Sequence, residues 1–285
     1  MKLVFVNNEN VKNVVEKGKI VLLAGSIALG FYGCSREIST NANVQYDIID
    51  TTNDDLVNQG IQQIIDVPGE DFKLVINYRC ILDDNARWTV TSDKLMYMDV
   101  YTQGLDKDTT VYIDNVHIDT TIKSRYPAVD GITQDSMDDR IHNAQMIGFP
   151  ISDDNKYINI NSIEGQNESF IKGSFRGFIN TNSVGRQDGE IKEERYVESD
   201  YLKAGVYANK ISSIIDLIII KKDGTTTCVS VPSTIGVSVW PYIERQEGLG
   251  TKSYVYYEFN EATGKMDEKK LTSNQYEEKV KTYSK

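Results

Sequence analysis

The chain has 285 residues, enough for one large domain or two of ordinary size, each with a substantial hydrophobic core. Its 42 acidic residues outnumber its 31 basic residues, which gives a formal net charge of -11. Because nucleic acids and anionic lipids attract basic surfaces, this charge argues against non-specific binding to either. The chain also has two histidines and 17 tyrosines, a composition more typical of binding and structural β proteins than of histidine-based hydrolases.

The first strong pattern along the chain is a basic flank followed by an apolar run. Lys17 and Lys19 precede the apolar residues 20–33, which stop at Cys34. A basic flank, an apolar segment of about a dozen residues and a small residue before a boundary are typical of a secretory signal. With cysteine at the boundary, residues 17–34 resemble a bacterial lipoprotein signal peptide. The resemblance implies that Cys34 is lipidated and becomes the mature N-terminus, held in the membrane by two acyl chains.

Two other interpretations of this segment remain open: a retained signal anchor, and a buried helix of a cytoplasmic protein. The run is shorter than the roughly 20 apolar residues that span a bilayer, which favours a processed segment. We therefore expect a protein on the extracytoplasmic face of the cell membrane, with a cytoplasmic location as the alternative. Residues 1–34 would be the signal and anchor segment, and the polar residues 35–43 a linker.

The next part of the chain, residues 44–125, predicts a first β-rich lobe. Residues 54–66 place apolar side chains at helical spacing and predict one helix before Pro68 and Gly69. Alternating stretches rich in Val, Ile, Tyr and Thr then predict an antiparallel meander over residues 72–82, 87–91, 94–102 and 109–122.

Residues 126–245 predict a second β-rich lobe. Helices are predicted at 134–146 and 199–209, the latter with Ser199 as its N-cap. Lys222, Asp223 and Gly224 predict a two-residue hairpin turn of the primed type between two strong strands. The predicted strands of this lobe are residues 157–163, 168–180, 191–197, 211–221, 225–231 and 235–243. The predicted fold is thus mainly β, with two β-sandwich-like lobes and a few short helices, and one large β sandwich as the alternative.

Residues 246–285 predict a small C-terminal appendage. Strands at 252–260 and 265–271 form a hairpin, and Thr272 with Gln275 has the spacing of a capping box that opens a polar helix. We interpret this as a hairpin with a solvated helix. The alternative is an aromatic strand offered to a partner, carried by Tyr254, Tyr256, Tyr257 and Phe259.

Asp135, Asp138 and His142 are the best candidates for a metal site. On the predicted helix these residues fall within two turns, and two carboxylates with an imidazole can hold a divalent cation. The alternative is that the acids only stabilise the helix dipole. Acidic turns could also hold Ca²⁺, although turn chemistry alone explains them. These turns are Asp83-Asp84-Asn85, Asp106 with Asp108, and Asp153-Asp154-Asn155. No other cofactor is predicted.

Two cysteines follow Cys34, and each lies in a predicted strand. Cys80 and Cys228 could form a disulfide in an exported protein, but buried free cysteines explain them at least as well.

The chain contains none of the common catalytic motifs of nucleophilic and metal hydrolases, so no catalytic residue is assigned. Aromatic side chains could instead form a platform for a sugar or a peptide. The candidates are Trp88, Tyr97, Tyr101, Phe170, Phe175, Phe178 and Trp240. We therefore expect a lipid-anchored binding or interaction module for a protein or glycan ligand rather than an enzyme. The alternatives are an extracytoplasmic hydrolase that uses scattered carboxylates, and a structural component of a surface assembly.

Overall fold

The structure, a computed structural model, describes residues 60–81, 87–141, 146–163, 165 and 197–283, together with four two-residue strands. The chain divides into two units, Met1–Cys34 and Ser35–Lys285. The first unit, with the predicted signal segment and Cys34, lies outside the described residues. None of the described helices is long and apolar enough to cross a membrane.

The described chain is mainly β. Its strands are β1 (Glu37–Ile38), β2 (Ile48–Ile49), β3 (Ile61–Asp66), β4 (Lys73–Ile81), β5 (Lys94–Gln103), β6 (Thr110–Ser124), β7 (Thr133–Arg140), β8 (Phe149–Ile151), β9 (Tyr157–Ile163), β10 (Arg186–Gln187), β11 (Glu190–Ile191), β12 (Val206–Ile220), β13 (Thr226–Ser238), β14 (Ile243–Gln246), β15 (Lys252–Asn260) and β16 (Lys265–Thr272). Its helices are α1 (Glu198–Lys203) and α2 (Ser273–Tyr283).

The largest sheet has the strand order β1-β13-β12-β6-β7, with β2 beside β13 and β8 beside β6. The long strands β6, β12 and β13 pair antiparallel and form its centre. On β12, Ile211, Ile215 and Ile219 share one face and are fully buried. Such β-branched side chains suit a pleated surface that is covered on one face.

A four-stranded sheet, β3-β4-β5-β9, packs against the largest sheet. Every second residue of β5 points into the core, as Met96, Met98 and Val100 do, all fully buried. The hydroxyl of Tyr78 joins the two sheets, because it lies 2.6 Å from the Ser213 hydroxyl and 2.7 Å from the Ser233 hydroxyl. Burying a phenol is tolerable only when its polar end has such partners.

The mainly β, sandwich-like fold class predicted from the sequence is confirmed. The pairing of strands, however, crosses the lobe boundary predicted near residue 126. Strand β6 pairs with β12, and β5 pairs with β9, so each sheet takes strands from both predicted lobes. One continuous hydrophobic cluster lies between the sheets.

Two predicted helices are strands in the structure. Residues 61–66, within the predicted helix 54–66, form β3 and pair with β4. Most of the predicted helix 134–146 is β7, which pairs with β6 at the edge of the largest sheet. Strand β7 contains one apolar residue, Met137, so its sequence lacks the apolar alternation that identifies a strand.

The helix predicted at 199–209 is shorter than expected. Helix α1 ends at Lys203, and the chain has become strand β12 by Val206. The helix starts after Val197, not after Ser199, and the Val197 N–H donates to the Asp200 carboxylate at 3.0 Å.

The predicted hairpin between β12 and β13 is confirmed, but its turn is not the two-residue type. The Gly224 N–H donates to the Lys221 carbonyl at 2.9 Å, and Gly224 has φ +83°. A turn that ends in one left-handed glycine is the usual three-residue hairpin connection.

The predicted C-terminal hairpin is also confirmed, since β15 pairs with β16. The predicted capping box is confirmed as well. The Thr272 N–H donates to the Gln275 side-chain oxygen at 2.9 Å, and the Gln275 N–H donates to the Thr272 hydroxyl at 3.4 Å.

Candidate functional site: a tyrosine-lined cleft

A cleft opens between the start of β12 and the C-terminal sheet β14-β15-β16. The chain turns sharply from α1 into β12 at Gly205, whose φ is +68°. A Cβ atom there would lie 3.0 Å from the Arg125 Cβ and 3.0 Å from a ring carbon of Tyr126. Glycine therefore allows residues 125 and 126 to approach β12 closely, and the Arg125 N–H donates to the Gly205 carbonyl at 2.9 Å.

The other wall is built by aromatic side chains of the C-terminal segment. The rings of Tyr254 and Tyr276 stack with centroids 3.7 Å apart and planes 7° from parallel, which holds α2 against β15. Tyr242 contacts Tyr256 and Tyr276 edge to face, with centroids 5.8 and 5.3 Å away. Offset-stacked and edge-to-face contacts stabilise these ring positions beyond the effect of area burial alone.

The cleft has a volume of about 380 Å³. This lies within the range of roughly 300 to 1,000 Å³ that small-molecule sites occupy. Tyr207 is its most accessible aromatic ring, 39 % exposed. The other aromatic and basic side chains that line the cleft are Arg125, Tyr242, Tyr256, Tyr257, Phe259 and Lys279.

Cations lie over the tyrosine faces around this cleft. The Arg125 guanidinium is 5.4 Å from the Tyr207 ring centre, and the Lys279 ammonium is 4.3 Å from the Tyr256 ring centre. The Lys279 ammonium also donates to the Tyr256 hydroxyl at 3.3 Å. These contacts keep the positive groups at the cleft without neutralising them.

The phenol of Tyr257 is held in its neutral form. Burial, and then the hydrogen bond that its hydroxyl donates to the Glu268 carboxylate at 2.9 Å, raise the pKa of Tyr257 to about 12. Arg245 binds the same carboxylate with two hydrogen bonds of 2.9 and 3.3 Å and lowers the pKa of Glu268. This network fixes one wall of the cleft over the physiological pH range.

The aromatic residues predicted to form a platform lie in several separate parts of the fold. Tyr97 and Tyr101 lie on the outer face of the four-stranded sheet, whereas Trp88 is fully buried and donates to the Asn209 side chain at 3.0 Å. Trp240 is 6 % exposed beneath the Arg87 guanidinium, 4.3 Å away. Phe170, Phe175 and Phe178 lie outside the described residues. Of the predicted aromatic strand, Tyr256, Tyr257 and Phe259 line the cleft.

The helix on which the candidate metal site was predicted is a strand over residues 133–140. Asp135 and Asp138 lie on β7, where an odd spacing places side chains on opposite faces. His142 lies outside the described residues. Among the residues that the structure describes, no three His, Cys, Asp or Glu side chains are placed so that they could hold a metal ion.

Asp138 instead contacts a histidine that the sequence analysis did not single out. The Asp138 carboxylate lies 2.8 Å from Nδ1 of His117, and the Asp119 carboxylate lies 3.1 Å from Nε2. The hydrogen bond with Asp138 is the main cause that raises the pKa of His117. The signal available in the sequence was the two-residue spacing of His117 and Asp119, which puts both on one face of a strand.

The two cysteines considered as a disulfide pair lie in different sheets. Cys80 lies in β4 and Cys228 in β13, on different sheets, and no disulfide joins these two described residues. Burial raises the pKa of the Cys80 thiol to about 12, which leaves it unreactive.

Of the acidic turns considered for Ca²⁺, residues 83–85 lie outside the described part of the chain. The Asp153 carboxylate is occupied by the Thr102 hydroxyl at 2.8 Å and by the backbone N–H groups of Gly104 and Leu105. Asp106 accepts the Asp108 N–H at 2.9 Å. Both carboxylates thus organise turns, which is the chemistry expected of short acidic side chains in loops.

Comparison of the sequence with protein-family models finds no match, and comparison with curated proteins also finds none.

Proposed function

We propose that this protein is a lipid-anchored binding module of the bacterial cell envelope, and that its ligand enters the tyrosine-lined cleft. The cleft is the observation that carries the proposal, because it combines a concave shape with aromatic faces held in fixed positions. Stacking on a rigid tyrosine gives contact area at low entropic cost.

The size of the cleft favours a small ligand over a protein partner. Stable protein interfaces bury about 800 Å² on each partner and are broad. A concave site of about 380 Å³ instead suits a group of one or two rings. A saccharide has such rings, and its C–H faces can stack on tyrosine.

The anchor explains how such a module would be held at the envelope. A lipidated Cys34 followed by the polar residues 35–43 would tether the folded domain to the membrane. The net charge of -11 would keep the domain soluble and away from anionic lipid.

The alternative hydrolase that uses scattered carboxylates gains no support from this cleft. Glycoside hydrolysis needs two carboxylates across the reacting bond. Glu258 is the one carboxylate among the described residues that line the cleft.

Mass spectrometry of the protein purified from membranes tests the anchor. We expect a mature chain that begins at a diacylated Cys34, and we expect Cys34→Ala to be released from membranes or left unprocessed. An intact Met1 terminus with an unmodified Cys34 would remove the lipoprotein proposal.

Saturation-transfer NMR of the full-length protein in detergent tests the cleft. Galactobiose, chitobiose and digalacturonic acid serve as probes. We expect transfer to at least one of them, lost in Tyr207→Ala and kept in Tyr101→Ala, whose ring lies on the outer face of the four-stranded sheet. If no probe receives saturation, or if Tyr207→Ala binds as wild type does, the saccharide-binding role of the cleft is wrong.

A further inference from the structure

The charge around the cleft differs from that of the rest of the protein. Residues 246–285 contain seven lysines and seven acidic residues, so the net charge of -11 belongs entirely to residues 1–245. The charged residues that line the cleft are two cations, Arg125 and Lys279, and one carboxylate, Glu258. An acidic protein therefore has a locally positive cleft.

The two cations are also not neutralised by neighbours. Many other lysines and arginines of the described surface form ion pairs, such as Lys123 with Asp130 at 2.6 Å and Lys252 with Glu244 at 2.8 Å. Neither Arg125 nor Lys279 forms an ion pair with a carboxylate of the described residues. Both lie over tyrosine rings instead, which leaves their charge available to an anion.

The two cations and the tyrosine ring together indicate the chemical class of the ligand. A planar guanidinium and an ammonium bind carboxylate or phosphate oxygens through charge-assisted hydrogen bonds. The neighbouring Tyr207 side chain is 39 % exposed, so a C–H-rich ring can reach it. A concave wall lowers the local dielectric constant, which strengthens attraction compared with an open surface.

We infer that the tyrosine-lined cleft selects an anionic sugar, whose ring stacks on Tyr207 while its acidic group meets the positive potential of Arg125 and Lys279. This inference rests on the binding function proposed above. The acidic group is a carboxylate, as in a uronic acid, or a phosphate, as in a sugar phosphate.

Isothermal titration calorimetry with matched sugar pairs tests the inference on the full-length protein in detergent. Digalacturonic acid is compared with neutral galactobiose, and glucose 6-phosphate with glucose. We expect one acidic sugar to bind at least tenfold more tightly than its neutral counterpart, with the advantage reduced as salt is raised. The pair that shows the larger difference distinguishes carboxylate from phosphate.

Charge-removing variants then locate the effect. We expect Arg125→Gln and Lys279→Gln each to weaken binding of the acidic sugar about tenfold and to weaken binding of the neutral sugar less, so that the ratio of the two affinities falls. Lys156→Gln is the control, because Lys156 lies over the Tyr101 ring at 4.4 Å, nearly the same geometry as Lys279 over Tyr256, but away from the cleft.

The outcomes separate the inference from the function on which it rests. Equal affinity for acidic and neutral sugars, with binding still lost in Tyr207→Ala, overturns the inference and leaves the binding function in place. Unchanged acidic-sugar affinity in both charge-removing variants also overturns it. Failure of all four sugars to bind overturns the inference, and if chitobiose also fails to bind, the saccharide-binding function is overturned with it.

Discussion

Replacing the buried Lys94 by methionine should stabilise the protein at neutral pH. Lys94 lies on the inner face of β5, 5 % exposed, with its ammonium 5.5 Å from the Trp88 ring centre. Its Nζ atom makes no hydrogen bond with any described residue. Burial lowers the pKa of Lys94 to about 8, although the charges of Glu198 and Asp93 oppose the shift.

The size and pH dependence of the effect follow from that pKa. Below pH 8 both states hold the proton, and the shift from 10.5 to about 8 corresponds to a cost of about 3 kcal/mol. Between pH 8 and 10.5 the unfolded chain binds more protons than the folded one, so stability rises with pH, and at pH 9.5 the cost is roughly half of its value at pH 7. Methionine has nearly the same shape without the charge.

Urea unfolding of wild type and Lys94→Met at pH 7 and pH 9.5 measures this. We expect the variant to be more stable by up to about 3 kcal/mol at pH 7, with roughly half of the advantage lost at pH 9.5. Lys156→Met, which changes an exposed lysine that lies over the Tyr101 ring, is the matched control. A Lys94→Met protein that is less stable than wild type at pH 7, or whose stability difference is the same at both pH values, would refute the reasoning.

Three further predictions concern the turn, the C-terminal helix and the histidine. Gly224→Val should lower the free energy of unfolding by about 1 to 3 kcal/mol, because φ at Gly224 is +83°. Gly224→Asn should lower it less, since asparagine tolerates this conformation better. An unchanged unfolding midpoint for the valine variant would contradict the left-handed conformation of this turn. Tyr276→Ala should lose at least about 1 kcal/mol through the Tyr254 stack, and Tyr276→Phe should keep most of it; equal losses in thermal melts would count against stacking. The pKa of His117 is raised in the folded state, so protonation of His117 stabilises the fold below the unfolded pKa near 6.5, and this stabilisation is lost as the pH rises through the folded pKa. His117→Gln should therefore lower the melting temperature at pH 5.5 and have a smaller effect at pH 8. A larger effect at pH 8 than at pH 5.5 would show that the direction of the pKa shift is wrong.

Buried side chains at every second position make a strand easy to predict from the sequence. Strand β9 has the predicted bounds, because Tyr157, Asn159, Asn161 and Ile163 all point inward. The helix prediction at 54–66 failed because its spacing was ambiguous. Ile61 and Ile65 are four residues apart, which places them on one face of a helix and also on one face of a strand. Pairing with β4 decides between these, and that pairing is not a local property.

The candidate site could not be read from the sequence for a similar reason. Arg125 and Tyr207 are neighbours because β6 pairs with β12, and Lys279 reaches the same cleft from the C-terminal segment. The abundance of tyrosine indicated a binding surface in general terms. It carried no information about which rings would remain accessible: Trp88 was a candidate for the aromatic platform and is buried, whereas Tyr207 was not singled out and is exposed.

The contact between a cation and an aromatic ring recurs in this protein, and its surroundings decide what it does. At Lys94 the ring lies in the core, so the charge costs stability and no ligand can reach it. At Lys156 the pair lies on an exposed sheet face, where water screens the charge. At Arg125 the pair lines a concave wall that is open to solvent, where the charge is less screened yet accessible. Of the three places, only the cleft therefore allows a ligand to use the charge and the ring together.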